Sequence, residues 1–415
     1  MTADTAKSRP PVDSKWPQMP TRFWGPEKIP GPARTPQVQN IANNSSPSIT
    51  KRRSDLRKRR FLGREVNWVD SRLKRCRDCG RVAVTPGGSV AVRQSLGIVG
   101  FAGLSTCGSV WSCGVCNAKI MARRQLEIGA AVELWKDQGG QVLFGTMTMR
   151  HWTCHRLDDL WASVSKAWGR VTGGKAWISN KKRFGIAGWL RVVEVTFGRN
   201  GWHVHIHYLV FLEAWAVRAD IEVLKASMFG RWAGAMASLG LPAPLMQGQD
   251  LRLLDGAADQ QLSRYFTKAV HQNKRIGLEL TSTQTKTARA IYKTYSVWRF
   301  LDDVIDNGDA DALDHWHEFQ RASKGRRQLT WSKGIRERLN LRAEKSDEDI
   351  AVEELGTKDN DLVLITAAGW KIITTHRLMV PILETVENQG LSGLHAMLDS
   401  WQIEYSLIGE AAAAS

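Results

Sequence analysis

Three histidines alternate with other residues in Trp202-His203-Val204-His205-Ile206-His207-Tyr208. Successive side chains on a β-strand point to opposite faces, so His203, His205 and His207 share one face. Three imidazoles in a row disfavour folding unless something binds them. Just upstream, Glu194 precedes Gly198-Arg199-Asn200-Gly201, a turn signal that predicts a hairpin. A two-residue loop at Arg199-Asn200 sets Glu194 opposite His205; a loop at Asn200-Gly201 sets it opposite His207. In either register the carboxylate lies on the histidine face, within cross-strand reach. Two imidazoles, a carboxylate and open positions suit Mg²⁺ or Mn²⁺, and imidazole ligands also admit Zn²⁺. His203 is a candidate further ligand.

Cys76-x-x-Cys79 and Cys113-x-x-Cys116 are two knuckles separated by 33 residues. Each presents two thiolates, and together they complete the S4 shell of a structural zinc site. Cys107 lies six residues before Cys113 and is the candidate replacement for one ligand; Cys154 stands apart.

Leu262-Ser263-Arg264-Tyr265-Phe266-Thr267-Lys268 reads as helical, with Tyr265 and Lys268 on one face. Beside a divalent cation, a phenol can attack a bound phosphate, with the lysine offsetting negative charge. Arg264 adds a cation near such a strand. Tyr292 and Tyr295 are rivals for the nucleophile.

These groups need a scaffold. Alternation predicts strands at 142–149, 188–197 and 202–211, and helical patterns cover about 156–172, 215–238 and 258–271. The first sixty residues lack apolar periodicity and read as a disordered basic arm ending in the run 51–60. Residues 61–125 form a zinc-binding cysteine module, 126–342 the main α+β domain, and 343–415 an acidic linker and small C-terminal region.

The chain has 415 residues with a net charge of +17. Residues 1–75 hold 17 Lys/Arg against 6 Asp/Glu; residues 343–415 hold 4 against 13. The basic excess favours a polyanionic partner. No apolar run approaches the length of a transmembrane helix, and the N-terminus lacks a secretory apolar stretch. A cytoplasmic protein without a membrane partner is the expectation, and six cysteines in this length argue against a secreted disulfide scaffold.

Several segments resemble rolling-circle plasmid replication initiators, the Rep proteins of the HUH endonuclease superfamily. They are Phe144-Gly145-Thr146-Met147-Thr148-Met149-Arg150-His151, Gly201-Trp202-His203-Val204-His205-Ile206-His207, and Tyr265-x-x-Lys268. The stretch Cys107 to Ile120 resembles a cysteine-rich segment preceding the nuclease core. Trp316 to Gly334, with Gly325-Arg326-Arg327, resembles one that follows it. The resemblance implies an α+β fold: an HUH-nuclease core with a five-stranded, ferredoxin-like antiparallel sheet and helices on one face, preceded by the cysteine zinc module. It also implies His205, His207 and Glu194 as metal ligands, and Tyr265 as the nucleophile that nicks the double-strand origin. Lys268 would assist, and Arg264, Arg326 and Arg327 would contact DNA. The implied partners are plasmid origin DNA, double- and single-stranded, with a host helicase and DNA polymerase. Gln261 departs from the pattern, since some relatives carry a glutamate there for termination; Asp259 and Asp255 are displaced alternatives. Other readings of the same residues are an HUH transposase or relaxase, and a non-catalytic zinc-ribbon DNA-binding protein.

Overall fold

The histidine strand lies inside an antiparallel sheet of six strands. In the computed structural model, residues 47–95, 97–213, 215–254, 294–354 and 356–408 are described. They begin with α1 (Pro47–Asp70) and α2 (Lys74–Asp78), then a hairpin of β1 (Val90–Ser95) and β2 (Ile98–Ala102). Next come α3 (Gly114–Asp137), β3 (Gln141–Met147), α4 (Leu157–Val171), α5 (Gly174–Phe184), β4 (Ile186–Gly198), β5 (Gly201–Leu212), α6 (Arg218–Ser238) and β6 (Gln249–Leu253). The chain continues through β7 (Tyr295–Ser296), α7 (Trp298–Asn307), α8 (Ala310–Ser323), β8 (Leu329–Trp331), α9 (Ile335–Arg338) and α10 (Asp347–Val352). It closes with β9 (Asp361–Ile365), α11 (Ala367–Thr375), α12 (Met379–Ser400) and β10 (Tyr405–Leu407).

The large sheet has the order β6-β3-β5-β4-β7, and β8 also pairs with β4. Among the described residues it therefore has six strands rather than the expected five. The reason is the length of β4: β7 joins it at Thr196 and Phe197, β8 at Leu190 to Val192. Helices cover both faces, not one. On one face Ile128, Ala131, Val132 and Trp135 of α3, spaced i, i+3, i+4, i+7, pack on Phe144, Leu190, Val192, Leu209 and Phe211. On the other, Trp168 of α4 meets Trp189 and Tyr208 with ring centroids 5.2 and 5.1 Å apart. Gly145 pairs with Tyr208 across β3 and β5. A Cβ there would sit 2.3 Å from the tyrosine ring, so only glycine lets that ring lie across the strand.

A second antiparallel sheet has the order β10-β9-β1-β2. Its strands come from both ends of the described chain, and Val90, Val92, Val363, Ile365, Ile373 and Leu383 share one core. The cysteine segment and the C-terminal region therefore share one sheet and its core. The acidic stretch expected as a linker contains α10. Its N-cap Ser346 accepts from the Asp349 amide, and Ile350 and Ala351 are buried.

The basic run also differs from expectation. Residues 51–60 belong to α1, whereas residues 1–46 lie outside the described residues. Arg57 donates to both carboxylate oxygens of Glu387 at 2.8 and 3.0 Å, Lys58 lies 3.4 Å from Glu384, and Arg59 pairs with Asp306 at 2.6 Å. These acids lie about 250 to 330 positions away, so a charge-run rule applied locally could not find them. Among the described residues no helix is long and apolar enough to cross a membrane.

Glu65 of α1 gives a pH test of this docking. It is 7% exposed, and burial pushes its carboxyl up to about 7, against the nearby charges of Arg377 and Arg64. An unfolded glutamate releases its proton near 4.5. The folded state thus holds the proton more tightly. The resulting stability is complete below the unfolded value and is lost as pH rises to about 7. Glu65→Gln should remove this contribution, flattening the decline in unfolding free energy between pH 4.5 and 7 by up to about 3 kcal/mol. Parallel chemical denaturation curves for the two proteins measure it; superimposable pH profiles would refute it.

Candidate metal sites

The hairpin adopts the Arg199-Asn200 register: Gly198 pairs with Gly201, and Glu194 with His205. One Glu194 oxygen, Oε2, lies 3.0 Å from Nε2 of both His205 and His207. The three potential ligand atoms fall within 4.8 Å of one another. His205 and Glu194 are partly buried at 11% and 17% side-chain exposure, and His207 is nearly sealed at 4%. The ring of His207 stacks on Phe144 with centroids 5.9 Å apart. The triad thus sits where the α3-facing apolar core of the sheet ends.

Electrostatics favour a charged carboxylate between the imidazoles. Burial alone would raise the Glu194 carboxyl, but the charges and hydrogen bonds of His205 and His207 hold it well below the usual range. Burial lowers His207, although Glu194 acts in the opposite direction. A neutral imidazole is the metal-binding form. Burial, then the neighbouring His205 and His151, pushes His203 down to about 3. His203 stacks on His151 at 4.9 Å and does not join the triad; its Nε2 makes no hydrogen bond among the described residues.

Thr146 stands in the segment from Phe144 to His151, but the sequence assigned it no role. It pairs with His207 across β3 and β5, and its Oγ1 lies 2.9 Å from His207 Nδ1. If Nδ1 carries the proton and donates it to Thr146, Nε2 keeps its lone pair for a metal. Asp250 pairs with Thr146 from β6, adding a carboxylate on the same sheet face. The strand alternation at 142–149 contained this signal, since cross-strand partners share a face.

Five of the six cysteines are buried. The four that gather are Cys79, Cys107, Cys113 and Cys116, all buried, with ligand atoms within 4.8 Å of one another. Sγ separations are 3.8 Å for Cys79–Cys113, and 3.6 Å for both Cys79–Cys116 and Cys107–Cys116. Cys76 is buried but not among the four. The cause is a long-range pairing: the Gly80 amide donates to the Ser105 carbonyl, Ser105 to Val82, and Val84 to Gly103. That ladder brings Cys107 beside Cys79. Hydrogen bonds from Cys107, Cys113 and Cys116 push the Cys79 thiol far down despite burial, favouring the thiolate that binds metal. Cys154 is exposed and outside the cluster.

Of the remaining site residues, Tyr265, Lys268, Arg264, Gln261, Asp259, Asp255 and Tyr292 lie outside the described residues. Tyr295 pairs with Phe197, hence on the face opposite Glu194, and packs on Phe197 and Phe300. Arg326 donates to the Ala322 carbonyl and covers Trp161, a packing role. Arg327 is exposed beside it.

Residues 102–219 match the Rep_1 family, described as replication protein. Over these residues the chain is similar to replication proteins. This Rep_1 segment contains the Glu194, His205 and His207 triad and three of the four clustered cysteines. The chain is also 27% identical over 364 residues to the protein rep of Streptomyces lividans, an alignment covering 73% of this chain and 79% of that relative. No solved structure matches. Homology and the metal-competent triad together describe a Rep-like, nuclease-type protein that handles DNA.

Two measurements follow from the geometry. Cys107→Ser should lower zinc content and destabilise the fold, whereas Cys76→Ser should retain one zinc per chain by elemental analysis. Equal zinc loss in both would reject the revised tetrad. Thr146→Val should weaken Mn²⁺ binding about 10- to 100-fold by calorimetry, with Thr146→Ser restoring most of it. Unaltered affinity in Thr146→Val would remove Thr146 from the account.

Proposed function

We propose that this chain initiates rolling-circle replication of a plasmid by nicking its double-strand origin. The observation carrying this reading is the Glu194 carboxylate held between two imidazoles within a Rep_1 segment. The donor set, one carboxylate oxygen and two imidazole nitrogens, fits Mg²⁺ or Mn²⁺. Glu194, His205 and His207 would hold the ion, which when bound withdraws charge from the scissile phosphate. We assign the core a ferredoxin-like character and the cysteine tetrad a structural zinc.

Tyr265 is the proposed nucleophile. The chain has five tyrosines. Tyr208 is 1% exposed on the opposite face, with burial raising its phenol; Tyr295 also faces away from the triad. Tyr405 belongs to the second sheet and donates to Asp399. This elimination leaves Tyr265 and Tyr292. Tyr265 has Lys268 one turn along the helix that the sequence predicts, whereas Tyr292 has only the adjacent Lys293. The phenolic oxygen would attack phosphorus, the P–O3′ bond would break, and the departing oxygen would take a proton. The products are a 5′-phosphotyrosine and a 3′-OH that primes synthesis by a host DNA polymerase, with a host helicase opening the duplex. In rejoining, a 3′-OH of the displaced strand attacks the phosphotyrosine and releases the tyrosine. Arg264 and Arg327 would hold strand phosphates.

Incubation with single-stranded origin DNA and Mn²⁺, followed by mass spectrometry, should map a covalent adduct to Tyr265. Tyr265→Phe should bind DNA and metal but form neither adduct nor nick. His205→Ala or His207→Ala should abolish cleavage, Glu194→Ala should impair it strongly, and His203→Ala should be milder. An adduct on Tyr292 would reassign the nucleophile; cleavage that persists in EDTA would defeat the metal assignment.

A further inference from the structure

A cavity of about 630 Å³ lies beside the cysteine tetrad, a size typical of ligand clefts. Its walls are the turn between α1 and α2, the loop from Cys107 to Ser112, the turn from α8 to β8, and residues 344–348. Arg72, Lys324 and Arg327 line it, are exposed, and make no side-chain hydrogen bond or ion pair among the described residues. Two of the three stand on the α8–β8 turn beside Gly325, whose φ of +73° allows the tight reversal.

The opposite wall is acidic and already engaged. Arg124 is held by Glu127 at 3.1 Å, Asp347 at 3.2 Å and Glu344 at 3.6 Å, with a side chain only 5% exposed. Arg75 meets Glu348 at 3.3 Å, but both are more than half exposed, so this pair is weak. Among the described residues the one aromatic lining the cavity, Trp111, is 7% exposed, packed by Trp161 and Phe319, and donates to the Arg326 carbonyl. It offers no open ring for a base. The chemistry available is therefore cationic contact with phosphate.

We infer that this cavity grips the sugar-phosphate backbone of a single DNA strand through Arg72, Lys324 and Arg327, and that Glu348 competes with the strand for Arg75. The inference rests on the reading of the chain as a DNA-handling protein but not on the nicking chemistry. A basic groove that tracks phosphates and ignores base identity is a general solution for single strands. A concave site of this volume admits a short run of linked nucleotides. Because Cys107 lies in one wall, the tetrad fixes the shape of the site.

The test uses the full chain in EDTA, so that cleavage plays no part. Fluorescence anisotropy with a labelled thymidine oligonucleotide of about a dozen residues is followed across a salt series. The triple variant Arg72→Ala, Lys324→Ala, Arg327→Ala should bind at least about tenfold more weakly. Its slope of log affinity against log salt should be shallower by about 2, from three lost phosphate contacts. A control triple of equal charge, Lys175→Ala, Lys358→Ala, Lys371→Ala, should lose less than about twofold, and Glu348→Gln should tighten binding. Circular dichroism verifies folding, and the gain in Glu348→Gln does not depend on the triple variant. Equal losses in the two triples, or no tightening in Glu348→Gln, would overturn the inference. So would calorimetry in which ADP binding is lost in the cavity triple while oligonucleotide binding is retained, since the site would then serve a free phosphate ligand. A nick surviving in Tyr265→Phe would defeat the proposed nucleophile yet leave this binding result intact.

Discussion

The hydrogen-bond register between two strands is the constraint on which the candidate site depends. Gly198 pairs with Gly201 across a two-residue loop, and every partnership along the hairpin follows from it. A slip of one residue would turn Glu194 to the opposite face of the sheet. In the observed register one carboxylate oxygen meets two imidazoles at 3.0 Å in a partly buried setting. Burial makes the carboxylate expensive in isolation, and the histidines offset that penalty. Phe144 stacking and the Thr146 contact then fix His207 from the neighbouring strand. The site is thus built on three adjacent strands, β3, β5 and β4, rather than on loops.

Much of this was legible in the sequence. Side chains alternate on a strand and a Gly-Arg-Asn-Gly turn limits the loop, so the shared face of Glu194, His205 and His207 needed no tertiary information. The helix expected at about 156–172 appears as α4 at Leu157–Val171 for the same reason: its periodicity is local. What local pattern could not supply was distant pairing. Cys107 reaches Cys79 because residues 80–84 zip onto 103–105. The strand β9 joined β1 across some 270 positions. The basic run of α1 found its acids on α7 and α12. Each of these is a partnership between segments that are individually unremarkable.

Those distant partnerships also explain how a chain of net charge +17 is organised. The acidic C-terminal region, 343–415, is not a detached tail. Its glutamates neutralise α1, while α10 packs against α3, where Arg124 and Asp347 pair. Arg93, 5% exposed on its side chain, is paired with Asp361 and Glu354 across the small sheet. Positive charge left unpaired by these contacts collects elsewhere, including the rim formed by Arg72, Lys324 and Arg327. The fold thereby separates cations that hold it together from cations that remain exposed to a polyanion.

The central claim is that His205 and His207, with Glu194, bind one divalent ion. Pulsed electron paramagnetic resonance of Mn²⁺ bound to protein carrying ¹⁵N-labelled histidine tests this most directly. The account predicts coupling to two histidine nitrogens, reduced to one in His205→Gln and in His207→Gln. A spectrum without ¹⁵N coupling, or one unaltered by both substitutions, would contradict it.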